Sequence, residues 1–211
     1  MTEIPDADPA VTAATRCFGD GDPLYEAYHD DEWGVAFTDG PDERELLERL
    51  ALEAFQSGLS WITVLRKRDA FRAAFADFDP AVVAAYDDAD VERLMADAGI
   101  VRNRAKITAT IAGARAVVAM HERGERLRDT FERYRPEHHP VPATAADVPG
   151  STPASAALAK DLKALGFRFV GPTTAYAAMQ AIGVVDDHPA TCPSSRNVRR
   201  RGLEVTGAGA R

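Results

Sequence analysis

The sequence predicts an all-α protein. Three observations carry this: apolar residues recur at helical spacing in six segments, few segments alternate with period two, and Gly or Pro separates most helices from the next. The 211 residues, 45% of them hydrophobic, suffice for a core that needs no staple. Length leaves one domain and two small lobes both open.

Residues 1–15 read as a tail. The first helix is expected over Glu43 to Ala54 (ERELLERLALEA). The next spans Asp90 to Ala98, where Val91, Leu94 and Met95 share a face. Lys106 to Glu122 is longer and rich in Ala and Ile, and a short one follows over Asp129 to Tyr134. Ser155 to Leu165 and Thr173 to Ile182 complete the set. The breaks are Gly40-Pro41, Asp79-Pro80, Gly99, Pro136 to Pro142, Pro149-Gly150, Gly171-Pro172 and Gly183. Residues 193–211 read as a basic C-terminal tail, and no internal repeat is visible.

No run of 18 apolar residues occurs, which argues against a membrane span. The N-terminus lacks the basic and apolar regions of a secretory signal, so a cytoplasmic protein is expected. The formal net charge is -8, which on its face argues against a nucleic-acid partner. Its distribution argues otherwise. Asp20 to Glu48 holds eleven acidic residues against one basic, Arg44. The basic residues gather elsewhere, at Arg66, Lys67, Arg68 and Arg72, at Arg102, Arg104 and Lys106, and at Lys160, Lys163 and Arg168. If these internal clusters share a face, they form a basic footprint on an acidic body. The alternative is ordinary solvated helix faces. The tail adds Arg196, Arg199, Arg200 and Arg201.

The two cysteines, Cys17 and Cys192, stand near opposite ends of the chain. Each has a histidine nearby, His29 twelve residues after Cys17 and His188 four before Cys192. Together they offer a Cys2His2 set, a closed tetrahedral zinc arrangement with no open position for water. Such an ion ties the N-terminal arm to the C-terminal segment. The alternative is two unrelated buried cysteines and two hydrogen-bonded histidines.

Aromatic residues crowd around these ligands. PLYEAYHDDEWG carries Tyr25, Tyr28 and Trp33; LEAFQSGLSWITVLRKR carries Glu53 and Trp61. Aromatic rings beside one carboxylate suit a flat, cationic, nitrogen-rich ligand such as an alkylated base, although each ring can equally fill a core. Glu53 ends an apolar helix, where a carboxylate needs partners. Gly166 to Gly171 (GFRFVG) joins two helices and resembles a helix-hairpin-helix motif, whose backbone N–H groups and second helix N-terminus suit a phosphate.

Several blocks in fixed order resemble the DNA-3-methyladenine glycosylase I family. They are DPLYEAYHDDEWG (Asp22 to Gly34), LEAFQSGLSWITVLRKR (Leu52 to Arg68), DAGIVRNRAKI (Asp97 to Ile107), GFRFVGPTTAYAAMQAIG (Gly166 to Gly183) and DDHPATC (Asp186 to Cys192). The resemblance runs from Arg16 to about Cys192. It implies a helix-hairpin-helix glycosylase fold over residues 16–192, with one structural Zn2+ on Cys17, His29, His188 and Cys192. It implies a base pocket of Phe18, Tyr25, Tyr28, Trp33 and Trp61, with Glu53 as the catalytic carboxylate that reads the adenine edge. It implies DNA contacts at Gly58, Leu59, Gly166, Arg168 and Gly171, Leu59 being the wedge that fills the gap left by a flipped base. The implied partner is double-stranded alkylated DNA, and the implied state a monomer.

Bifunctional relatives carry a Lys just past the hairpin for a Schiff base. Gly171-Pro172-Thr173 has none, so a monofunctional hydrolase is expected. Asp186 lies where many superfamily members place a catalytic carboxylate; a cap or loop role is the alternative, because the family manages without that carboxylate. Two other classes stay open. A zinc-stabilised helix-hairpin-helix DNA-binding protein without catalysis would not need Glu53 and the aromatics. A zinc hydrolase would need an open metal position.

Overall fold

The computed structural model describes residues 16–35 and 42–194, and all the regular structure among them is helical. Ten α-helices follow in order: α1 (Pro23–Asp31), α2 (Glu43–Gln56), α3 (Trp61–Leu65), α4 (Arg68–Ala74), α5 (Pro80–Ala84), α6 (Asp88–Ala96), α7 (Arg104–Glu122), α8 (Leu127–Glu132), α9 (Pro153–Ala164) and α10 (Pro172–Ala181). The Gly40-Pro41 break, the N-terminal tail and Arg196 to Arg201 lie outside the described residues.

All six expected helices are present, and five begin one or two residues earlier than periodicity alone suggests. Capping explains most of this. Asp87 closes a capping box with Asp90, the Asn103 side chain accepts from the Lys106 N–H, and Thr152 closes a box with Ser155 just before Pro153. Helix α8 has no side-chain cap of its own. The buried Glu43 carboxylate, from the start of α2, accepts instead from the Leu127 N–H at 3.0 Å. Four helices went unread: α1, α3, α4 and α5 are at most nine residues long, too short for a 3.6-residue period to declare itself.

Helix α2 runs through the middle, packed against α7, α8 and α10. Its stretch Leu46 to Phe55 is buried throughout, as expected of a helix enclosed on all sides. Phe55, Phe71, Phe75 and Phe78 form a chain of ring contacts with centroids 4.6 to 6.4 Å apart. Phe78 reaches that cluster through a left-handed turn in which Ala76, Asp77 and Phe78 all have φ near +50°. Full burial of the Phe78 ring offsets the backbone strain.

The first basic cluster does not form a free footprint. Arg68 donates to Glu32 and Glu48, Arg72 to Glu48, and Arg66 to Asp22, while the Lys67 ammonium binds the Ala98 and Gly99 carbonyls. Arg104 pairs with Glu92. Asp22, Glu32 and Glu48 of the acidic segment are thus the counter-charge of that cluster, where α1 and α2 meet α3 and α4. Arg102, Lys160, Lys163 and Arg168 have no ion pair among the described residues.

The Arg68 and Glu48 side chains are 13% and 7% exposed, so removing one charge strands the other. Arg68→Ala is expected to lose about 3 kcal/mol of stability, read as a lowered urea midpoint with an unchanged slope. A loss below about 1 kcal/mol would show the pair to be worth no more than a surface one.

Candidate active site

Phe18, Tyr25, Tyr28, Trp33, Glu53 and Trp61 line one cavity of about 140 Å³. Three stretches converge on it. The loop before α1 brings Phe18, α1 with its following turn brings both tyrosines and Trp33, and α2 with α3 bring Glu53 and Trp61. Tyr28 and Trp61 stand 5.2 Å apart, tilted by 47°, and Phe18 lies 4.9 Å from Trp33 and 5.0 Å from Tyr25. The cavity also takes Gln56, Ala177 and Gln180, which the sequence reading missed. Gln180 left one signal: it is the lone amide in the last two turns of α10, otherwise apolar there.

Glu53 is 7% exposed, and no described residue donates a hydrogen bond to it. Burial pushes its carboxyl up to about 8, against the opposing pull of the Arg49 guanidinium one turn earlier. Burial, with the Glu53 charge adding to it, raises the Tyr25 and Tyr28 phenols, which stay protonated. The cavity is therefore an aromatic-walled space holding one carboxyl to which no described residue donates a hydrogen bond. A cationic ligand would supply the missing counter-charge.

Beside it, the ligand atoms of Cys17, His29, His188 and Cys192 all lie within 4.8 Å of one another and can hold a metal ion. Around zinc, bonds of ~2.0–2.3 Å put neighbouring ligand atoms roughly 3.3–3.8 Å apart. The Cys17 and Cys192 Sγ atoms stand 3.0 and 3.4 Å from His29 Nε2, so the donor set fits with little movement. Both imidazoles are oriented from behind. His29 Nδ1 meets Asp30 at 2.8 Å and His188 Nδ1 meets Asp186 at 2.7 Å, the usual arrangement behind metal-ligating histidines. His188 Nε2 is buried with no hydrogen-bond partner among the described residues, as expected of an atom kept for a cation. Burial and the neighbouring Cys192 push the Cys17 thiol up to about 12; a bound divalent cation reverses that by favouring the thiolate.

This places Asp186 behind His188, where it also accepts from the His188 backbone N–H. Gly34 completes the cradle. Its φ is +74°, and a Cβ there would meet the His188 ring at 3.1 Å, so both conformation and space call for glycine. Asp30 accepts from Arg16 and from Ser194 Oγ, joining the two ends of the described chain a second time. Ser194 is buried, two residues past the expected edge at Cys192.

Gly58 (φ +86°) and Leu59 form the turn after α2, with Leu59 41% exposed. The hairpin between α9 and α10 anchors Phe167 and Val170 in the core and exposes Arg168. Its left-handed positions are Gly166 (φ +107°) and Phe169 (φ +57°). Gly171, with φ of −116°, is not required by backbone conformation; its missing side chain leaves the first turn of α10 open.

The family model for methyladenine glycosylases matches residues 18–196. DNA-3-methyladenine glycosylase 1 of Escherichia coli (strain K12) is 51% identical over 174 residues, covering 81% of this chain and 91% of that protein. A crystal structure of a 3-methyladenine DNA glycosylase I superposes with a TM-score of 0.80 at 49% identity, covering 85% of this chain and 98% of that one. The 3-methyladenine DNA glycosylase I of Staphylococcus aureus, whose structure addresses 3-methyladenine recognition, gives 0.78 at 34% identity, covering 84% and 94%. An all-helical frame and a cavity whose lining includes Tyr25, Tyr28, Trp33, Glu53 and Trp61 of the matching blocks agree with these likenesses, and this chain belongs to the methyladenine glycosylase family.

Proposed function

We propose that this chain is a monofunctional base-excision repair glycosylase that hydrolyses the N-glycosidic bond of 3-methyladenine in double-stranded alkylated DNA, acting as a monomer in the cytoplasm. The observation that carries it is the buried Glu53 carboxyl inside an aromatic cavity, with no hydrogen-bond donor among the described residues. In 3-methyladenine the base is already cationic, so its glycosidic bond is weakened and it departs neutral. The protein therefore needs recognition more than leaving-group activation.

In this reading the nucleotide is flipped from the stack and its base stacks against the Tyr28 and Trp61 rings, bounded by Phe18, Tyr25 and Trp33. Glu53 ionises against the cation and accepts from its exocyclic amine. Neutral adenine gives no such return for charging a buried carboxyl, so the same desolvation that raises the Glu53 carboxyl selects the alkylated base. Positive charge developing on the sugar is stabilised by nearby anionic groups, DNA phosphate among them, before water attacks.

Leu59 fills the vacated stack, and the Gly166 to Gly171 hairpin holds the backbone through its N–H groups and Arg168. Cys17, His29, His188 and Cys192 would hold one structural zinc, which supplies cross-linking of the chain ends rather than chemistry. No helix among the described residues is long and apolar enough to cross a membrane.

Incubating the folded, metal-loaded protein with methylated duplex DNA should release free 3-methyladenine, separated by chromatography. If none appears, the proposal fails. Trp61→Ala, which removes one wall of the cavity, should lower kcat/KM roughly tenfold, the scale of one base–aromatic stack.

A further inference from the structure

Resting on that glycosylase reading, we propose that Gln180 is a specificity-determining residue of the base pocket: its side-chain carbonyl, aimed by Asp187, accepts from the exocyclic amine of a 6-aminopurine and turns away a 6-oxopurine.

The orientation follows from chemistry. Asp187 is 2% exposed and accepts from three groups: the Tyr176 hydroxyl at 2.8 Å, the Gln180 Nε2 at 2.7 Å and the His139 Nε2 at 2.8 Å. A carboxylate accepts only, so the Gln180 amide must turn its nitrogen toward Asp187. Its oxygen is thereby directed away from Asp187. No described residue donates to that oxygen, it is not among the buried orphaned atoms, and Gln180 lines the cavity that holds Glu53. Gln56, the other amide at the cavity, has no side-chain hydrogen bond to a described residue to fix it.

The end of α10 is held as firmly as the amide. The Gly34 N–H donates to the Gln180 carbonyl at 2.9 Å, and Arg49 donates to the Ala181 carbonyl at 2.8 Å. Gln180 therefore presents a pre-oriented acceptor rather than an adaptable amide. An adenine-type base offers two N–H donors at its 6-position, enough for Glu53 and Gln180 together. A guanine-type base puts an acceptor oxygen there, facing the Gln180 carbonyl with no proton between them. Glu53 reads the positive charge, and Gln180 separates alkylated adenine from alkylated guanine. Asp187 acts as a positioning residue, without touching the base.

The test compares excision of 3-methyladenine and 3-methylguanine from the same methylated duplex by the wild type and by Gln180→Met and Gln180→Leu, with enzyme in excess so that slow release is counted. Both variants keep the bulk and lose the acceptor. The expected result is a fall in kcat/KM for 3-methyladenine of roughly tenfold, expressed in KM, while 3-methylguanine release does not fall. The ratio of the two is independent of the fraction of protein that is active, so a partly misfolded variant still reports. An equal fall for both bases, or an unchanged rate for 3-methyladenine, would overturn the assignment and leave Gln180 a packing residue. A wild type that releases no 3-methyladenine overturns the glycosylase reading itself, a separate outcome.

Discussion

Glu53→Gln is expected to make the protein more stable at neutral pH while removing most of its activity. In the unfolded chain this carboxyl ionises near 4.5, and in the folded cavity only near 8. Below 4.5 it is protonated in both states and costs nothing. Between 4.5 and 8 the unfolded chain releases the proton and the folded one keeps it, so stability falls as pH rises; above 8 the loss levels off. At about 1.4 kcal/mol per pH unit, the cost is about 3 kcal/mol at pH 7. Gln does not ionise, so stability of the variant measured by denaturant from pH 5 to pH 8 should lose this slope and exceed the wild type by up to about 3 kcal/mol at pH 7. Excision of 3-methyladenine should fall roughly 10²- to 10³-fold in kcat/KM, because the neutral amide gives no counter-charge. The wild-type rate should climb toward pH 8 as Glu53 ionises. A variant that is less stable than the wild type at pH 7, or one that keeps full activity, would sink this account of the pocket.

Metal removal is expected to have the second large effect. A structural zinc can contribute ~10 kcal/mol or more where it is the main source of folding energy. Here a separate core of phenylalanines and leucines remains without it, so the loss should be confined to the ends. Chelation should release one zinc per chain, lower Tm by many degrees and open the segments around Cys17 and Cys192 to protease before the helices melt. Cys192→Ser should do the same without chelator. Asp186→Asn should keep the site but weaken metal affinity about 10- to 100-fold through loss of the carboxylate behind His188, with near-normal excision at saturating zinc. Strong loss of excision in zinc-loaded Asp186→Asn would restore Asp186 as a candidate catalytic carboxylate. Binding of metal with a stoichiometry below one, or no change in Tm on chelation, would show the Cys2His2 cluster to be merely packed.

Much of the site was legible before any coordinates. The six aromatic and acidic residues named through the family resemblance line one cavity, and the four metal-ligand candidates converge although Cys17 and Cys192 lie far apart in sequence. The ordered blocks of the family resemblance carried this, since residue type alone left each ring able to fill a core and the two Cys–His pairs able to be unrelated. Gln180 was not legible, because an isolated amide in a helix carries no chemistry until its partner is known. That partner, Asp187, sits on the loop after α10, and only folding brings them together. Whether the basic clusters form a footprint was left open in the sequence for the same reason. Arg68 and Arg72 look free in sequence and are spent on Glu32 and Glu48, 20 to 36 residues away.

The sequence by itself determined the helical class, the longer helices and the identity of the reactive groups, since these depend on local periodicity, capping and side-chain chemistry. Tertiary structure decided which charges cancel, which way the Gln180 amide and the two ligand imidazoles point, and that no described residue donates a hydrogen bond to Glu53. Those are properties of desolvation and of distance between remote residues: a carboxyl becomes a recognition element only when the fold removes its water and supplies no substitute.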